Sequence, residues 1–368
     1  MEPFETQALA VCERALRPIT YFLPDNYDSR ERFEEVLVTL NRQATPGIPY
    51  DRENATIGGW LGFDGFEYDQ HQKDRLWFHV QQVFNGEFDI LFKTFIKQEP
   101  HKKAKIRQGR WRLIICFPLC VQVAWKMLFD YLNIELLQHS LEIPVQHGFQ
   151  LMGGGWKLYH RQWKNQNLNA GTDVSAFDFS TTWKKVRRSV FELRARLTKG
   201  RRVDDWKRLA LRLYEQAYVG CNVQFPCGTT VRINVPAIQK SGSPNTIADN
   251  GLLRFYESVV IALSLGKFVY PLGSFVGDDA LECIHRDEEA PLVAAYKRRG
   301  WTIKQVEWGM NYVGHDFTNA GPMPSYLAKH LYSYRYLSEE VVSGFLESMV
   351  HLYAHSPHTW IWHRLALL

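Results

Sequence analysis

The chain has 368 residues, of which 45% are hydrophobic and 23% charged, and its formal net charge is +5. This size and composition predict a folded protein with two domains or several lobes, and they exclude a fibrous or low-complexity chain. The six cysteines lack the paired spacing of a zinc site, so we expect reduced thiols in the cytosol. The N-terminus has no apolar signal core, and the longest apolar stretch, residues 113–125, is too short to span a bilayer. We therefore expect no direct membrane insertion.

The N-terminal part of the chain predicts helices followed by a rigid loop. Within residues 1–44, apolar residues recur at helical spacing with charged residues between them. Residues 44–50 then contain two prolines and a glycine, a composition that favours an extended loop. This loop is either a plain connector or a guide for a nucleic-acid strand, and the pattern alone leaves both open.

Basic side chains concentrate in residues 93–112, where the acid Glu99 stands alone among eight lysines and arginines. The alternation over residues 110–114 predicts a strand that carries Arg110 and Arg112 on one side. A run of charges is usually a solvated face. An ordered array of cations, however, would suit a triphosphate or an RNA backbone.

The middle of the chain predicts helices over residues 119–141 and 183–218, the second with a basic outer face. The three glycines at 153–155 predict a flexible joint, and they lack the ending that a phosphate-binding loop requires. Between these helices, Asp173 is expected at the end of a short strand. Asp178 follows five residues later, close to the start of the second helix.

Residues 241–246 form a loop by composition and lead into a predicted helix that continues to residue 265. On this helix Thr246 and Asn250 stand one turn apart, so that a hydroxyl and an amide face the same way. Together they would recognise a sugar by hydrogen bonding to it. Alternatively, Thr246 or Ser243 caps the helix by accepting hydrogen bonds from free amides, and the two roles are compatible.

A second acidic element lies at residues 275–282, where Gly277, Asp278 and Asp279 stand between short apolar runs. The pattern predicts a hairpin with both carboxylates at its tip, although an acidic turn is usually just solvated. Adjacent carboxylates repel each other, and a pair of divalent cations would offset that repulsion. If their strands are neighbours in one sheet, Asp173 and Asp278 would meet at such a metal pair.

The C-terminal part predicts a helix over residues 290–299, a strand over 301–306, a tight hairpin over 311–317 and a helix over 336–352.

In this order, the elements resemble the RNA-dependent RNA polymerases of positive-strand RNA viruses, above all those of the sobemovirus and polerovirus group. The similarity covers residues 45–335. Its six motifs are the template loop (motif G) at 45–50, motif F at 95–102 and 110–114, motif A at 173–178, motif B at 241–250, motif C at 277–279 and motif E at 314–317. One departure is at motif E, which reads Val313-Gly314-His315 where the plant-virus pattern usually shows Cys-Ser-His.

The resemblance implies an α+β right-hand fold with fingers, a thumb and a palm built on an antiparallel sheet flanked by helices. It assigns the fingers to residues 1–168 with an insertion at 183–235, and the palm to 169–182 and 236–318. The thumb, complete or truncated, would occupy residues 319–368.

The resemblance also implies roles for individual residues. Asp173 and Asp278, assisted by Asp279, would be catalytic and would bind two Mg²⁺ ions, with Mn²⁺ as a substitute. The incoming nucleotide would contact Lys97, Lys105, Arg110, Arg112, Asp178, Ser241, Gly242, Thr246 and Asn250, of which Asp178 and Asn250 would select the ribose 2′-hydroxyl. RNA would contact Thr45, Pro46, Gly47, Lys102, Lys103 and His315. Lys304 is the candidate general acid of motif D, but an ordinary surface residue of a strand fits its position equally well.

Such a polymerase would act on template RNA, nascent RNA and nucleoside triphosphates, together with other viral replication proteins. We expect it in the host cytoplasm, in membrane-associated replication complexes that another protein anchors. A reverse transcriptase shares the two-metal chemistry, although Asp178 and Asn250 argue against that alternative. A non-catalytic RNA-binding protein is the third hypothesis, and it would bind RNA in a salt-dependent manner without synthesis.

Overall fold

The N-terminal third of the protein is mainly helical in the computed structural model, which describes residues 3–367. The helices predicted within residues 1–44 and over 119–141 are confirmed. The strand predicted to start at residue 110 begins only at Leu113, so the predicted start is wrong. Residues 103–109 form a short helix and a turn, and the Arg110 amide donates to the Lys105 carbonyl at 2.9 Å. The elements are α1 Pro3–Ala15, β1 Tyr21–Phe22, α2 Arg30–Val38, α3 Ile57–Trp60, α4 Gln70–Asn85, β2 Leu91–Ile96, α5 Lys103–Arg107, β3 Leu113–Cys116 and α6 Leu119–Gln138.

In the middle third, the single helix predicted over residues 183–218 is divided into a helical run over residues 183–197, which includes a π-helical turn, and a separate helix, Val203–Tyr218. The chain leaves the helix at Thr198 because Thr198 and Lys199 pair in parallel with β1, and Leu23 donates to the Lys199 carbonyl at 2.7 Å. The glycine turn at 153–155 leads directly into a helix that the sequence did not predict. The elements are α7 Trp156–Asn165, β4 Ala170–Val174, α8 Phe177–Ser180, α9 Trp183–Val186, a π-helical turn Arg187–Phe191, α10 Glu192–Leu197, β5 Thr198–Lys199, α11 Val203–Tyr218, β6 Asn222–Gln224, β7 Thr230–Arg232 and α12 Thr246–Ser264.

The last third confirms the predicted acidic hairpin and the helix over 290–299. The predicted strand over 301–306 is present two residues later, and the helix predicted over 336–352 begins only after Ser338. The elements are β8 Ser274–Val276, β9 Asp279–Glu282, α13 Glu289–Arg298, β10 Ile303–Trp308, β11 Asn311–Tyr312, β12 His315–Thr318, β13 Gly321–Pro324, α14 Leu327–Tyr334, α15 Glu339–Leu352 and α16 Thr359–Ala366.

An antiparallel sheet with the strand order β10-β4-β9-β8 lies at the centre of the molecule. Helices α1, α12 and α13 pack together beside it, and one continuous hydrophobic core joins them to the helices of the N-terminal part. The register sets Thr172 of β4 opposite Ala280 of β9. It is an antiparallel sheet flanked by helices, as the resemblance implies for a palm.

A second sheet with the strand order β3-β2-β6-β7 supports the basic segment. The connection between β2 and β3 carries most of that segment, and the two strands pair antiparallel from Lys93 with Cys116 to Ile96 with Leu113. The C-terminal helices have their own small core, in which Tyr353 and Trp362 are fully buried. The proposed domain boundaries stay predictions.

All six cysteines are free thiols, as predicted. Within residues 3–367, none of the helices has the length and apolar character needed to cross a membrane.

Candidate active site

Three aspartates lie at one edge of the central sheet. Asp173 is the fourth residue of β4, while Asp278 occupies the turn between β8 and β9 and Asp279 begins β9. The turn is possible because Gly277 has φ +59°, a conformation that side chains other than glycine disfavour. Since β4 and β9 are neighbours in the sheet, their register brings the hairpin tip to the end of β4. The predicted meeting of these strands is confirmed.

The electrostatics of the three aspartates show how close together they lie. Burial, followed by the charges of Asp278 and Asp173, raises the pKa of Asp279 to about 7. Asp278 keeps exposed surface at the hairpin tip, yet partial desolvation and the charge of Asp173 raise its pKa as well. The edge therefore holds more negative charge than the surrounding protein compensates.

Lys304 contacts this edge directly. It projects from β10, next to β4, and its ammonium group lies 2.5 Å from Oδ2 of Asp173. The hydrogen bond to Asp173 raises the pKa of Lys304. The side chain is thus a surface residue of a strand, about half exposed, and at the same time part of the acidic site. Its role as a general acid stays a prediction.

The donor set suits a hard divalent cation. Among residues 3–367, no three carboxylate, imidazole or thiol side chains already surround one point as the ligands of a bound metal do. Carboxylate oxygens are nevertheless the ligands that Mg²⁺ prefers. Burial, followed by the charges of neighbouring aspartates, raises the pKa of Asp278 and Asp279, and a cation would favour their charged forms. The Lys304 ammonium supplies part of that compensation at Asp173. The residues fit the predicted metal pair.

Asp178 and Asn250 meet beside the acidic edge. Asp178 lies in the first turn of α8, which follows Ala176 in a left-handed conformation at φ +50°. Asn250 Nδ2 donates to Asp178 Oδ1 at 3.4 Å. Burial, followed by the charge of Asp278, raises the pKa of Asp178 to about 6. The predicted pairing of an acid with an amide is present, next to the candidate metal site.

The loop before α12 is fixed by local hydrogen bonds. The Thr246 hydroxyl donates to the carbonyls of Lys240 and Ser243, both at 2.9 Å, so its predicted capping role is wrong because it donates rather than accepts. Ser243 Oγ does accept from a free amide, that of Asn245, at 3.2 Å. Thr246 therefore shapes the loop from which α12 begins.

The same loop docks onto β3. Ser241 Oγ donates to the Leu113 carbonyl at 2.9 Å. Gly242 lies so close to Ile115 that a Cβ atom would stand 2.6 Å from the Ile115 carbonyl oxygen. Any larger residue at 242 would push the loop away from the strand. The loop thereby links the basic segment to the helix that carries Asn250.

The basic segment is open to solvent and is organised by one acid. Glu99 lies 3.5 Å from Lys97, 3.3 Å from Arg112 and 3.5 Å from Lys329 of α14. Although partial burial opposes the shift, these three cations lower the pKa of Glu99. The other cations predicted to bind nucleotide or RNA are exposed: Lys102, Lys103, Lys105 and Arg110. The sequence offered a signal for Glu99, the lone acid of a basic run, but none for Lys329.

The residues predicted to contact RNA differ in accessibility. Thr45 is partly exposed, whereas Pro46 and Gly47 are buried, so in this arrangement Thr45 offers most of the surface of the template loop. His315 lies on β12, where its Nδ1 is 2.8 Å from the Val313 carbonyl, and burial lowers its pKa. Contact with RNA stays a prediction for all of them.

A buried arginine that the sequence analysis missed lies behind the acidic strands. Arg254 of α12 donates to Thr172 and Tyr296 and lies 3.5 Å from Glu282. Thr172 itself donates to Glu282 at 2.9 Å. These contacts tie α12 to β4 next to Asp173 and to the far end of β9. The signal in the sequence is an arginine among the apolar residues of the helix, which also carries Asp249 and Glu257.

Residues 25–307 match the family model described as viral RNA-dependent RNA polymerase. Over 323 residues the chain is 29% identical to Protein P1-P2 of Pea enation mosaic virus-1, covering 77% of this chain and 25% of that protein. Over 274 residues it is 28% identical to Replicase polyprotein P2AB of Southern bean mosaic virus, covering 66% of this chain and 26% of that protein. The chain thus spans about a quarter of the length of these curated relatives.

The fold is similar to that of a solved structure, the Sicinivirus 3Dpol RNA dependent RNA polymerase. The TM-score is 0.75 at 14% identity, and the match covers 100% of this chain and 80% of the other. At this identity the similarity concerns the fold, and it confirms the predicted α+β right-hand architecture.

Proposed function

The chain belongs to the viral RNA-dependent RNA polymerase family, and we propose that it extends RNA on an RNA template, replicating the genome of a positive-strand RNA virus. The match to the family model confirms the family that the ordered motifs indicate, that of the viral RNA-dependent RNA polymerases. In the proposed reaction, the 3′-hydroxyl oxygen of the RNA bonds to the α-phosphorus of a nucleoside triphosphate. The bond from that phosphorus to pyrophosphate breaks, and the hydroxyl proton is released.

One observation carries the proposal: Asp173, Asp278 and Asp279 share an edge of the palm sheet, with the Asp178–Asn250 pair beside them. A non-catalytic RNA-binding protein has no need for three carboxylates at one edge of a sheet, where burial and neighbouring charges raise the pKa of Asp278 and Asp279. Like charges held close together lower the stability of a fold and are retained where they perform a function. The paired Asp178 and Asn250 favour a ribose over a deoxyribose, and therefore a polymerase of RNA over a reverse transcriptase.

Each group has a defined task in this proposal. Asp173 and Asp278, with help from Asp279, would hold two Mg²⁺ ions or, in substitution, Mn²⁺. When bound, the ions would supply Lewis-acid stabilisation to the attacking and leaving oxygens. Asn250 and Asp178 bind the 2′-hydroxyl and so orient the sugar. Lys304 is the proton donor proposed for the leaving pyrophosphate.

The triphosphate binds to the basic segment in this proposal. Lys97, Lys105 and Arg112 neutralise its charge, with Arg110 as a weaker contributor. Guanidinium groups suit this task because they bind phosphate oxygens through two parallel hydrogen bonds.

We further propose that the protein works with other viral replication proteins in membrane-associated complexes of the host cytoplasm. The relative from Southern bean mosaic virus is called a replicase polyprotein, which supports the part of the proposal that concerns other viral proteins. In this proposal, another protein attaches the complex to the membrane.

The test is incorporation of labelled nucleotides on a primed RNA template with Mg²⁺ or Mn²⁺. We expect RNA product from the wild-type protein, and a loss of several orders of magnitude in the Asp278→Asn variant, because that carboxylate would touch both metals. Asp287→Asn, which changes an exposed aspartate beyond β9, is the matched control and should keep full activity.

Each hypothesis predicts a different result. Equal incorporation by wild type and Asp278→Asn would refute the proposed mechanism. RNA binding that weakens with salt, without synthesis, would identify a non-catalytic RNA-binding protein. A preference for deoxynucleotides would identify a reverse transcriptase.

A further inference from the structure

A chain of buried hydrogen bonds runs from the interior of the fingers to the ribose site. The Tyr218 hydroxyl, at the end of α11, donates to the side-chain oxygen of Gln239. Gln239 Nε2 donates to Asn250 Oδ1 at 2.9 Å, and Asn250 Nδ2 donates to Asp178 Oδ1 at 3.4 Å. Tyr218, Gln239 and Asn250 are at most 5% exposed. Water therefore has little access to the first two links, whereas the link to Asp178 is partly buried.

The order of donors and acceptors along this chain fixes which way each amide points. A side-chain amide has an accepting oxygen at one end and a donating nitrogen at the other. Because the phenol of Tyr218 donates to the oxygen of Gln239, the nitrogen of Gln239 faces Asn250. The oxygen of Asn250 is thereby occupied, and its nitrogen is left to face Asp178, whose carboxylate only accepts. The Asp178 carboxylate, which only accepts, sets this direction, and the Tyr218 hydroxyl completes it by donating to Gln239.

Gln239 is also fixed through its backbone. Its amide donates to the Asp178 carbonyl at 2.9 Å, so one residue holds both the backbone of Asp178 and the side chain of Asn250. The preceding Ile238 has φ +72°, a conformation that β-branched residues rarely adopt. Its amide donates to the Thr181 carbonyl at 2.8 Å, which holds the chain in this strained turn. The surrounding structure thus determines where Gln239 lies.

We propose that Gln239 and Tyr218 are positioning residues for ribose selection, because they keep the Asn250 amide nitrogen directed at the 2′-hydroxyl. That hydroxyl then accepts from Asn250 and donates to Asp178. A deoxyribose forms neither of these hydrogen bonds, which disfavours it. If the amide of Asn250 turned over, its oxygen would face the carboxylate, and the distinction between the sugars would be lost. This inference rests on the proposed polymerase function and specifies how that function selects its substrate.

The test measures kcat/KM for ATP and for 2′-deoxy-ATP on a primed RNA template. Gln239→Met keeps the length of the side chain and removes both hydrogen bonds. We expect it to lower the ratio of the two kcat/KM values about tenfold, by lowering the value for ATP alone. Tyr218→Phe removes a single oxygen and should lower the ratio about threefold. The matched control Gln224→Met changes a glutamine of β6 that bonds Thr230, and should leave the ratio unchanged.

A double-variant cycle separates positioning from general stability. Asn250→Ala removes the amide that Gln239 orients, so adding Gln239→Met to it should lower the ratio no further. A purely structural role for Gln239 would reduce kcat/KM for both nucleotides by the same factor, and would overturn the inference. If Gln239→Met fails to fold, judged by circular dichroism, the ratio in Tyr218→Phe decides.

Failure of the inference differs from failure of the proposed function. A wild-type protein that incorporates neither nucleotide contradicts the polymerase function itself. If the wild-type protein prefers ATP and the folded Gln239 and Tyr218 variants keep the same preference, the polymerase function stands. Only the roles of these two residues are then refuted.

Discussion

The acidic edge of the central sheet and the basic segment of residues 93–112 carry opposite charges and are held in place by different kinds of contact. The aspartates are placed by strand register and a glycine turn, and they are backed by the buried cation Arg254. The cations lie on a short helix and an irregular connection, are largely exposed, and depend on Glu99. The palm edge is built before any ligand arrives, whereas the basic segment is held by ion pairs that a ligand can replace.

This difference predicts how substitutions behave in the two regions. Removing a group from a buried network leaves its partners desolvated and unpaired, which costs several kcal/mol. Removing one member of an exposed ion pair costs about 0–1 kcal/mol, because water and salt screen the interaction. The predictions below test the contrast, from the largest expected effect to the smallest.

The Asp173→Asn variant tests the palm edge most severely. Losing a carboxylate that would ligate the metal should reduce kcat on the order of 10⁴-fold. The melting temperature should stay the same or rise, because the remaining aspartates lose a repelling neighbour. Single-turnover nucleotide incorporation and thermal denaturation measure the two effects. A loss of activity below about tenfold would contradict the assigned role.

The Arg254→Met variant tests the buried support of that edge. It leaves the Glu282 carboxylate without its cation, so we expect the free energy of unfolding to fall by about 3–5 kcal/mol. Urea denaturation measures the change. The matched control is Arg298→Met on the exposed face of α13, which should change stability by less than about 0.5 kcal/mol. Equal effects of the two variants would mean that the palm edge does not depend on Arg254.

A pH series tests the outer edge of the palm sheet, where Val145 bridges to Phe275 and Gln146 donates to the Phe275 carbonyl at 2.8 Å. Next to them, burial and, less strongly, Arg194 lower the pKa of His147 to about 4. In the unfolded chain this pKa is about 6.5, so between these values the unfolded state binds more protons. The contribution of neutral His147 to the free energy of unfolding is therefore complete above pH 6.5 and is lost as the pH falls towards 4.

In the His147→Gln variant, the loss of unfolding free energy between pH 7 and pH 4 should be smaller than in wild type by about 1–3 kcal/mol. Urea denaturation at several pH values measures it. His71→Gln, on the exposed surface of α4, serves as the control and should follow the wild-type curve. A parallel curve for His147→Gln would show that this histidine does not titrate in the predicted way.

The Glu99→Gln variant tests the basic segment and should have the smallest effect on stability, below about 1 kcal/mol. It frees Lys97, Arg112 and Lys329 from a competing carboxylate, so KM for ATP should fall about threefold at low salt. Steady-state kinetics at two ionic strengths measure the change, with Glu142→Gln as an exposed control. A rise in KM would instead mean that Glu99 holds the cations in the orientation that the triphosphate needs.

Short-range patterns made much of the candidate site predictable from the sequence. Gly277 and its flanking apolar residues specified the hairpin, and the spacing within α12 placed Asn250 on the face that meets Asp178. The basic segment was predictable as a concentration of charge but not as a conformation. Nothing in the alternation near Arg110 shows that α5 forms before the strand.

The supporting contacts could not be predicted because they join residues that are distant in the sequence. Arg254 meets Thr172 and Glu282 only after the sheet has formed. Gln239 lies in a loop without periodicity, and its partner Tyr218 belongs to another helix. The break in the helix predicted over 183–218 has the same origin, because strand pairing with β1 overrides local helix propensity.

Helix α12 is fastened to three different parts of the protein, and this limits where the molecule can move. Its buried ion pairs are Asp249 with Arg194 at 2.8 Å, Arg254 with Glu282 at 3.5 Å, and Glu257 with Arg299 at 2.5 Å. Tilting the helix would strain all three at once. Because Ser241 and Gly242 also dock residues 241–245 onto β3, the loop and the helix form one rigid support for Asn250. A sugar of the wrong shape is then rejected rather than accommodated.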